Sequence, residues 1–482
     1  MKRVVIIGAG IAGLSAAYSL IEHGAHHWEA GLDLEVVILE KNSSIGGNIR
    51  TERHNGYLIE GGPDCFLSEK PWAMELCKRI GLEGQLLPTN ETNRKTFVLS
   101  NGRLHELPEG VILMVPTRIL PFAFSSLISI PGKIRMGMEL FIPRRRSIGD
   151  ESLAAFVRRR LGNEALDKIA EPLVAGVHAA DPETMSVKSS FPKFVQMEQE
   201  HGSLIRGMIK RMGQMRRTTT GGQWPRITMF MTLKDGLGAL VSTLKERLMA
   251  SGVASIRTEV QVKAIIEKDG GYELLIEGAP SIVADAVIIA SPAYAAANLL
   301  EALDAGLAAN LREIPYASTA TVSLGFKKAD IDTRHPMNGF GFVVPRAEKR
   351  RIMAASWTSI KFAHRAPDDG VLIRCFIGGA QNLGLLDLSD ADMEKAVLEE
   401  LRSIMGIEAA PVLCRIFRWR NSMPQYTIGH EERVKRIEES CGAHPGLFLT
   451  GNAYHGIGIS DSVRRSEIVA KKTLHYLEDR DA

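Results

Sequence analysis

The chain has 482 residues, enough for about two to four domains of roughly 150 residues each. Its formal net charge of +3 is nearly balanced, which excludes a chain-wide basic surface of the kind that binds nucleic acid. The five cysteines form no C-x-x-C pair, so neither a zinc cluster nor a disulfide framework is predicted, and a reducing cytoplasm fits best.

The amino terminus begins directly on a strand pattern, MKRVVIIGAG, which leaves no room for a secretion signal. The longest apolar stretch, residues 119–130, is interrupted by Pro121 and followed by Pro131. It is shorter than the roughly 20 residues that cross a bilayer, so no transmembrane helix is predicted. We therefore expect a cytoplasmic protein.

Residues 1–90 have the pattern of a βαβ unit, in which VVIIGAG is a strand with a glycine turn, IAGLSAAYSLIEHG a helix and LEVVILE a second strand. A G-x-G-x-x-G motif follows the first strand and opens the helix, the context that favours a dinucleotide site. Its glycines let the backbone approach a pyrophosphate, whose charge the helix N-terminus favours. The predicted loop comprises Gly8, Ala9, Gly10, Ile11, Ala12 and Gly13.

Glu40 ends the second strand and is placed to accept hydrogen bonds from a ribose diol, with Lys41 beside it. It lies 27 residues after Gly13, a longer spacing than usual. We assign the excess to an extended loop at residues 23–33. The residues of that loop predicted to lie on the surface, with no metal-binding role, are His26, His27 and Trp28.

Residues 91–221 change to helical runs, prolines and dense arginine, which predicts a mainly helical insertion. From residue 228 the succession of predicted strands and helices returns. Residues 256–278 alternate between apolar and polar side chains on both sides of Gly270-Gly271, which predicts a β-hairpin. Residues 284–292 read as a short buried strand. The arginines of the insertion and its end are Arg144, Arg145, Arg146, Arg158, Arg159, Arg160, Arg216 and Arg217.

Four short strand patterns, TATVSLGF, GFGFVV, IMAASW and VLIRCFIGG, predict an antiparallel sheet in a second domain. A helix is predicted to begin at Ser389, with Asp392 as its capping partner, and to end at Gly406. We expect an α/β fold with a discontinuous Rossmann-like domain at 1–90, 222–297 and 414–482. An α+β substrate domain at 298–413 and the helical insertion complete it.

A second glycine pair follows the ribose acid in SSIGGNIRT and then IEGGPDCF. The G-G-x-x-x-T segment resembles that of the FAD-containing amine oxidase and protoporphyrinogen oxidase superfamily, where it lies along the cofactor. Asn48 occupies the third position, where that superfamily often has Arg or Lys. The resemblance implies FAD as cofactor, with contacts from Gly46, Gly47 and Asn48.

The carboxyl-terminal stretch TGNAYHGIGISD contains another glycine-rich turn, which the extended length of FAD explains. If the adenosine lies near Gly8, the isoalloxazine ends some way off, where this loop can meet it. Gly458 is then expected to let the backbone approach the ring, with Ile457 and Ile459 as walls. The helix that follows would direct its N-terminus at the pyrimidine edge of the ring and favour negative charge there.

Longer stretches resemble the oxygen-dependent porphyrinogen oxidases of heme synthesis, especially their soluble bacterial type. They are GYLIEGGPDCFLSEK, EPLVAGVHAADPETMS, SFPKF, TLKDGLGAL and WRNSMPQYTIGH. By position in these motifs, the resemblance implies that Lys70 faces substrate, with a solvated surface lysine as the alternative. The further flavin contacts that it implies are Gly62, Pro63, Asp64, Cys65, Val262 and Trp419.

The implied activity is the FAD-dependent removal of six electrons from coproporphyrinogen III, with O2 as acceptor and H2O2 as product. Protoporphyrinogen IX is the alternative substrate. A flavin amine oxidase, a carotenoid desaturase and a non-catalytic binding protein are the alternatives on the same fold. No catalytic acid or base is predicted, because the flavin itself accepts the electrons from the substrate.

Three expectations concern partners of the chain. Some of the arginines above would meet the four substrate carboxylates, although a solvated helix face is the expectation for any single one. Apolar positions between 119 and 130 could make a peripheral membrane contact, as in membrane-bound relatives. Transfer of the product to a ferrochelatase is a further interaction that the sequence leaves open.

Overall fold

A computed structural model of the chain describes residues 1–28, 33–108, 111–112, 115–116, 119–147, 149–218, 228–380 and 382–480. The strands of the amino-terminal half are β1 (Lys2–Ile7), β2 (Leu34–Leu39), β3 (Thr51–His54), β4 (Tyr57–Glu60), β5 (Phe66–Leu67), β6 (Leu86–Pro88), β7 (Lys95–Ser100), β8 (Arg103–Glu106), β9 (Val111–Ile112), β10 (Val115–Pro116) and β11 (Phe230–Leu233). Those of the remainder are β12 (Ala254–Arg257), β13 (Val262–Lys268), β14 (Gly271–Ile276), β15 (Ile282–Ala284), β16 (Ala286–Ile289), β17 (Tyr316–Lys327), β18 (Gly339–Val343), β19 (Ala354–Trp357), β20 (Gly370–Gly378), β21 (Leu413–Pro424) and β22 (Leu447–Leu449).

The α-helices up to residue 218 are α1 (Ile11–Trp28), α2 (Trp72–Arg79), α3 (Ile119–Phe124), α4 (Ile130–Gly137), α5 (Leu153–Arg160), α6 (Asn163–Ala165), α7 (Glu171–His178), α8 (Val187–Ser190), α9 (Pro192–His201) and α10 (Leu204–Thr218). The later ones are α11 (Gly238–Ala250), α12 (Ala293–Leu300), α13 (Ala305–Arg312), α14 (Thr358–Lys361), α15 (Asp390–Met405), α16 (His430–Gly442) and α17 (Ile459–Asp479). None of the described helices is both long enough and apolar enough to cross a bilayer.

A five-stranded parallel sheet in the order β12-β2-β1-β16-β22 organises the chain. Apart from Lys2 and Arg3 in β1 and Glu35 in β2, the central strands β1, β2 and β16 are apolar, as expected of strands that are covered on both faces. Val4 and Ile6 pack with α1, α11 and α17 on one face. Val5 and Ile7 pack with α12, α13 and α16 on the other. All three segments predicted for the FAD-binding domain supply strands, so the discontinuous α/β fold is confirmed.

Local signals in the sequence also predicted several elements correctly. Gly270 and Gly271 connect β13 and β14 as an antiparallel hairpin. The Ser389 side chain accepts a hydrogen bond from Asp392 N at the start of α15, and Gly406 ends that helix in the left-handed region, with φ of 81°. The expected extended loop at 23–33 was wrong in its first part, because α1 continues as helix to Trp28. The side chains of His26, His27 and Trp28 lie outside the described residues.

The second large sheet has seven strands in the order β21-β17-β20-β19-β18-β7-β8. The four predicted strands form its centre and pair antiparallel, as expected. Two segments pair outside the domains in which the sequence placed them. β7 and β8, expected in the helical insertion, extend this sheet through the parallel pairing of β7 with β18. β21, expected in the FAD-binding domain, pairs along β17. The alternation within each short strand is local, whereas its pairing partner is remote in sequence.

The helical insertion packs against one face of the seven-stranded sheet. Its core includes Phe156, Ile169 and Phe194, and Val98 and Val343 of the sheet pack into it. On the opposite face of the sheet, α15 contributes a second apolar core. The sheet is therefore covered on both sides, and its β17, β20 and β21 strands can meet the amino-terminal domain along one edge.

Candidate functional site

The first glycine loop follows β1 and is shaped by close backbone contacts. A Cβ atom at Gly13 would lie 1.9 Å from Gly8 O, and one at Gly8 would lie 3.0 Å from Ala290 O. Gly8 also has φ of +106°, which L side chains rarely adopt. At Gly10 a Cβ would meet only Gly47 Cα, at 3.9 Å, so Gly10 borders open space. The first and third glycines therefore serve packing, and the middle one faces the candidate site.

Glu40 supports this loop from the end of β2. Its carboxylate accepts hydrogen bonds from Ala9 N at 2.9 Å and from Asn42 N at 2.9 Å. The Asn42 side chain adds a bond of 2.6 Å, a support that the sequence motif did not reveal. Val260 N donates to Glu40 O, so the segment that leads to the buried Val262 lies beside the acid. Lys41, also predicted here, is exposed.

The second glycine pair lies directly against the first loop. Gly46 N donates to Ala9 O at 2.8 Å, and the Cα atoms of Gly10 and Gly47 face each other. Thr51, the last residue of G-G-x-x-x-T, donates to Glu60 Oε2 at 2.6 Å and accepts from Gly238 N at 2.8 Å. The threonine therefore holds α11 against this segment.

The Gly61–Cys65 segment continues along the same surface. A Cβ at Gly62 would lie 1.8 Å from Asn48 O and 3.6 Å from the Trp419 ring, so three predicted contact residues meet here. Trp419 Nε1 donates to Gly61 O at 2.8 Å. Pro63 follows Gly62 and is partly buried.

A charged pair that the sequence did not reveal lies behind this segment. Lys361 Nζ is 2.9 Å from Asp64 Oδ2 and 3.5 Å from Cys65 Sγ. Burial by itself would raise the pKa of Asp64. The cation of Lys361 and, to a lesser extent, that of Arg374 outweigh burial and hold this pKa well below its ordinary range. Burial and the Asp64 charge raise the pKa of the Cys65 thiol to about 12, so the thiol stays neutral.

The carboxyl-terminal loop follows β22 and is clamped by Tyr426. The Tyr426 hydroxyl accepts from Gly456 N at 2.7 Å and donates to Asn452 O at 2.8 Å. The ring of His430 stacks on Tyr426 with centroids 3.8 Å apart. Gly458 is the N-cap residue of α17, with Ile457 half-buried before it and Ile459 buried after it.

Lys70, the predicted substrate contact, lies at this helix start. Its ammonium nitrogen is 2.6 and 2.8 Å from the two carboxylate oxygens of Asp461, and Ser460 Oγ donates to Lys70 O. The Lys70 side chain is 40% exposed, so it remains accessible beside the loop.

His178 is a site residue that the motifs contain but that was not singled out. It ends α7, packs edge-on against Phe191, and has its carbonyl held by Gln425 Nε2 at 3.2 Å. Burial lowers the pKa of His178 to about 4, and the Lys70 cation acts in the same direction. In the described part of the chain neither ring nitrogen has a hydrogen-bond partner. A neutral imidazole therefore borders Lys70.

Most of the described arginines in this run make contacts within the helical insertion itself. Arg160 is fully buried, where it pairs with Glu139 and donates to backbone carbonyls of the insertion. Arg159 pairs with Glu151 and Glu198. Arg158 pairs with Glu183. Arg144 donates to Gln199 O, Arg145 pairs with Glu151, and Arg146 is exposed. The side chains of Arg216 and Arg217 lie outside the described residues.

The three loops converge because of the parallel sheet. Strands β1, β2 and β22 all direct their carboxyl ends to one edge, where Gly8, Glu40 and Gly451 follow them. β1 and β22 are separated by β16 alone, about 10 Å in all. A Cβ at Gly451 would meet nothing within 4 Å, so open space borders this loop as it borders Gly10. This edge fits an extended dinucleotide.

Comparison with known proteins agrees with this geometry. The sequence profile described as flavin containing amine oxidoreductase matches residues 11–473. A Bacillus subtilis protein named coproporphyrinogen III oxidase is 37% identical over 481 residues, which are 99% of this chain and 98% of that one. A Staphylococcus aureus protein of the same name is 33% identical over 485 residues, 99% of this chain and 100% of its own.

A crystal structure from Exiguobacterium, of a protein described as a candidate protoporphyrinogen oxidase, superposes with a TM-score of 0.84 at 33% identity. The superposition covers 99% of both chains. The chain therefore belongs to the flavin-containing amine oxidoreductase family and is an FAD-dependent oxidoreductase of the branch that includes the coproporphyrinogen III and protoporphyrinogen oxidases.

Proposed function

We propose that this chain oxidises coproporphyrinogen III to coproporphyrin III, with dioxygen as the electron acceptor. The reaction removes six electrons and six protons from the macrocycle in three two-electron steps, and three O2 become three H2O2. The observation that supports this substrate best is the full-length similarity to relatives named for it, at 37% and 33% identity.

The residues that would hold FAD follow the edge of the parallel sheet. Gly10 and the N-terminus of α1 are suited to the pyrophosphate, and Glu40 to the ribose. The Gly46–Asn48 and Gly62–Cys65 segments and the loop before α17 would line the isoalloxazine. Bound FAD supplies the two-electron acceptor. The chain orients the substrate, excludes water from the flavin and provides charged groups.

A cationic rim beside Lys70 is suited to the carboxylates of the substrate. Lys193 and Arg211 both contact the carboxylate of Glu69, the neighbour of Lys70. Among the described residues, the acidic partners of these three cations are Glu69 and Asp461, so an incoming carboxylate would meet a net positive surface. We assign the rim Lys70, Lys193 and Arg211 to substrate binding, in place of the arginines of α5.

His178 is the group of the chain best placed to take up a proton from the substrate. Burial lowers the pKa of His178 to about 4, so the imidazole is neutral at physiological pH and acts there as a hydrogen-bond acceptor and weak base. The pyrrole nitrogens lose protons as the macrocycle becomes aromatic. A residue in this position would speed that loss without being obligatory for it.

A peripheral membrane contact is part of the proposal, but Phe122, Leu127 and Ile128 of the expected stretch 119–130 are buried, so the contact is assigned mainly to residues that follow it. Ile130, Ile134 and Met138 follow one another at helical spacing on α4 and its extension, and between 53 and 73% of each is exposed. Phe124 and Phe141 are exposed by 86 and 81%. Such an apolar surface is suited to the boundary of a bilayer. A cytoplasmic location, expected from the amino-acid sequence, completes this part of the proposal.

The test is aerobic incubation of the purified protein with coproporphyrinogen III and protoporphyrinogen IX in parallel, followed by porphyrin fluorescence and peroxide release. We expect faster turnover of coproporphyrinogen III and three peroxides for each porphyrin. Turnover of protoporphyrinogen IX alone would replace this proposal by the second candidate, which the similarity to the Exiguobacterium structure favours.

A further inference from the structure

The carbonyl oxygen of Gly61 accepts three hydrogen bonds from three adjacent strands of the substrate sheet. Trp419 Nε1 of β21 and Thr321 Oγ1 of β17 each donate at 2.8 Å. Arg374 Nη2 of β20 donates at 3.1 Å and also contacts Gly62 O. A carbonyl oxygen has two lone pairs, so three donors, one of them cationic, polarise this peptide group strongly.

Arg374 carries its charge into this position without a carboxylate of its own. Only 3% of the residue is exposed, and its guanidinium lies 4.9 Å from the centre of the Phe376 ring. Among the described residues no carboxylate lies within ion-pair distance of Arg374. The nearby carboxylate of Asp64 pairs with Lys361 instead. Burial lowers the pKa of Arg374, which is a cost for folding. Such a costly cation beside a cleft is typical of a functional site.

The planar geometry of the Gly61–Gly62 peptide determines the direction of the Gly62 N–H. No cis peptide occurs in the described chain, so the N–H of Gly62 is directed opposite to the Gly61 carbonyl. The carbonyl faces the substrate sheet, and the N–H therefore points away from that sheet, on the side of the glycine loops. Within the described ranges no acceptor for this N–H is found, although backbone donors are rarely left without one.

We propose that Arg374 is a positioning residue that fixes the Gly61–Gly62 peptide with its N–H directed at the isoalloxazine of bound FAD. Its charge, together with that polarised N–H, favours the negative charge that the flavin gains on reduction. The Asp64–Lys361 pair beside it is neutral as a whole. The carboxyl group of Glu60 also interacts electrostatically with Arg374, and burial keeps it largely protonated below pH 7. This inference rests on the proposed placement of FAD.

The experiment measures the midpoint potential of the bound flavin by spectroscopic titration, and its affinity for sulfite, in purified holoenzymes. We expect Arg374→Met to lower the potential and to weaken sulfite binding about tenfold. Arg374→Lys, which keeps the charge, should restore most of the potential. Thr321→Val removes a neutral donor to the same carbonyl and serves as the matched control, with a much smaller shift.

Asp64→Asn gives an independent test with the opposite sign. It removes a negative charge while keeping the side-chain shape, so the potential should rise. This variant decides the matter if Arg374→Met does not fold. An unchanged potential in a flavin-loaded Arg374→Met, or a potential that falls in Asp64→Asn, would overturn the inference. Neither measurement uses a porphyrinogen, so failure of the proposed substrate would appear separately, in the turnover assay.

Discussion

Lys70 and Asp461 are 391 positions apart in the sequence, yet both carboxylate oxygens of Asp461 lie within 2.8 Å of the Lys70 ammonium nitrogen. The pair joins the segment after the first βαβ unit to the first turn of α17. It therefore connects the two ends of the chain at the point where the flavin and the substrate are proposed to meet.

The Lys70→Met variant should raise the KM for coproporphyrinogen III about tenfold and leave the fold intact. Because Lys70 is 40% exposed, loss of the pair should cost less than about 1 kcal/mol of stability. Steady-state kinetics and thermal melting measure the two effects. Lys188→Met is the matched control, since Lys188 is 38% exposed and lies 2.6 Å from Glu431. Equal changes of KM in both variants would contradict a role of Lys70 in substrate binding.

The glycines of the first loop should respond differently to alanine. Gly10→Ala adds a methyl group to open space, so the protein should fold normally but bind FAD about tenfold more weakly. Gly13→Ala would place its Cβ 1.9 Å from Gly8 O and should destabilise the fold by about 3 kcal/mol or more. FAD titration and melting temperatures distinguish them.

Gly137→Ala is the control for these alanine variants. It lies at the end of α4 with nothing within 4 Å of the added Cβ, and it should stabilise the protein by about 0.5–1 kcal/mol. A Gly10→Ala protein that binds FAD as tightly as the wild type would show that this glycine does not border the cofactor.

The sequence predicted those features whose signal is local. The glycine motif after β1, the hairpin at Gly270 and the cap at Ser389 each depend on neighbouring residues, and each is present. The position of β7 could not be predicted in this way, because its partner β18 lies more than 200 residues further along the chain. A short apolar segment such as KTFVLS carries no information about the strand beside it.

The same limit applies to the candidate site. The motifs named the residues that border the expected cofactor, but they did not reveal Lys361 of α14 or Arg374 of β20. These two side chains contact Asp64 and Gly62 across about 300 positions of sequence. One signal was present. Arg374 interrupts the apolar run VLIRCFIGG, and a charge inside a buried strand indicates either a partner or a function.

Glu60 should make the stability of the protein depend on pH. Burial raises the pKa of Glu60 from 4.5 to about 7, although Thr51 and Leu237 N donate to its carboxylate. As the pH rises from 4.5 to 7, the unfolded chain releases this proton first. Stability is therefore lost through that range, by up to about 3 kcal/mol, and no further loss follows above it.

Urea unfolding of Glu60→Gln and wild type between pH 4.5 and 8 checks this expectation. The variant should lack this loss, so its stability relative to wild type should increase as the pH rises. Glu277→Gln, which removes a carboxylate that is 54% exposed, should leave the pH dependence as it is. Parallel curves for Glu60→Gln and wild type would show that Glu60 titrates normally.

The exposed apolar surface of α4 should bind lipid. Co-sedimentation with vesicles of phosphatidylcholine and phosphatidylglycerol should retain the wild type and release Ile134→Glu, because a charge at the centre of the stripe opposes insertion. Val177→Glu alters an apolar side chain of similar exposure, 64% against 62%, outside this stripe and should still bind. Identical sedimentation of wild type and Ile134→Glu would exclude α4 as the contact.

Tyr426→Phe should loosen the carboxyl-terminal loop. The variant keeps the ring stacked on His430 but leaves Gly456 N and Asn452 O without their partner. Tyr426 is only 6% exposed, so the loss should cost about 1–3 kcal/mol of stability. Because this loop is proposed to border the isoalloxazine, FAD affinity should fall about tenfold.

Tyr272→Phe is the control. It also removes a hydroxyl from a buried tyrosine, one that donates to Pro445 O, and it should lower stability without changing FAD affinity. Equal losses of FAD affinity in the two variants would mean that general destabilisation, rather than the clamp on the loop, controls cofactor binding.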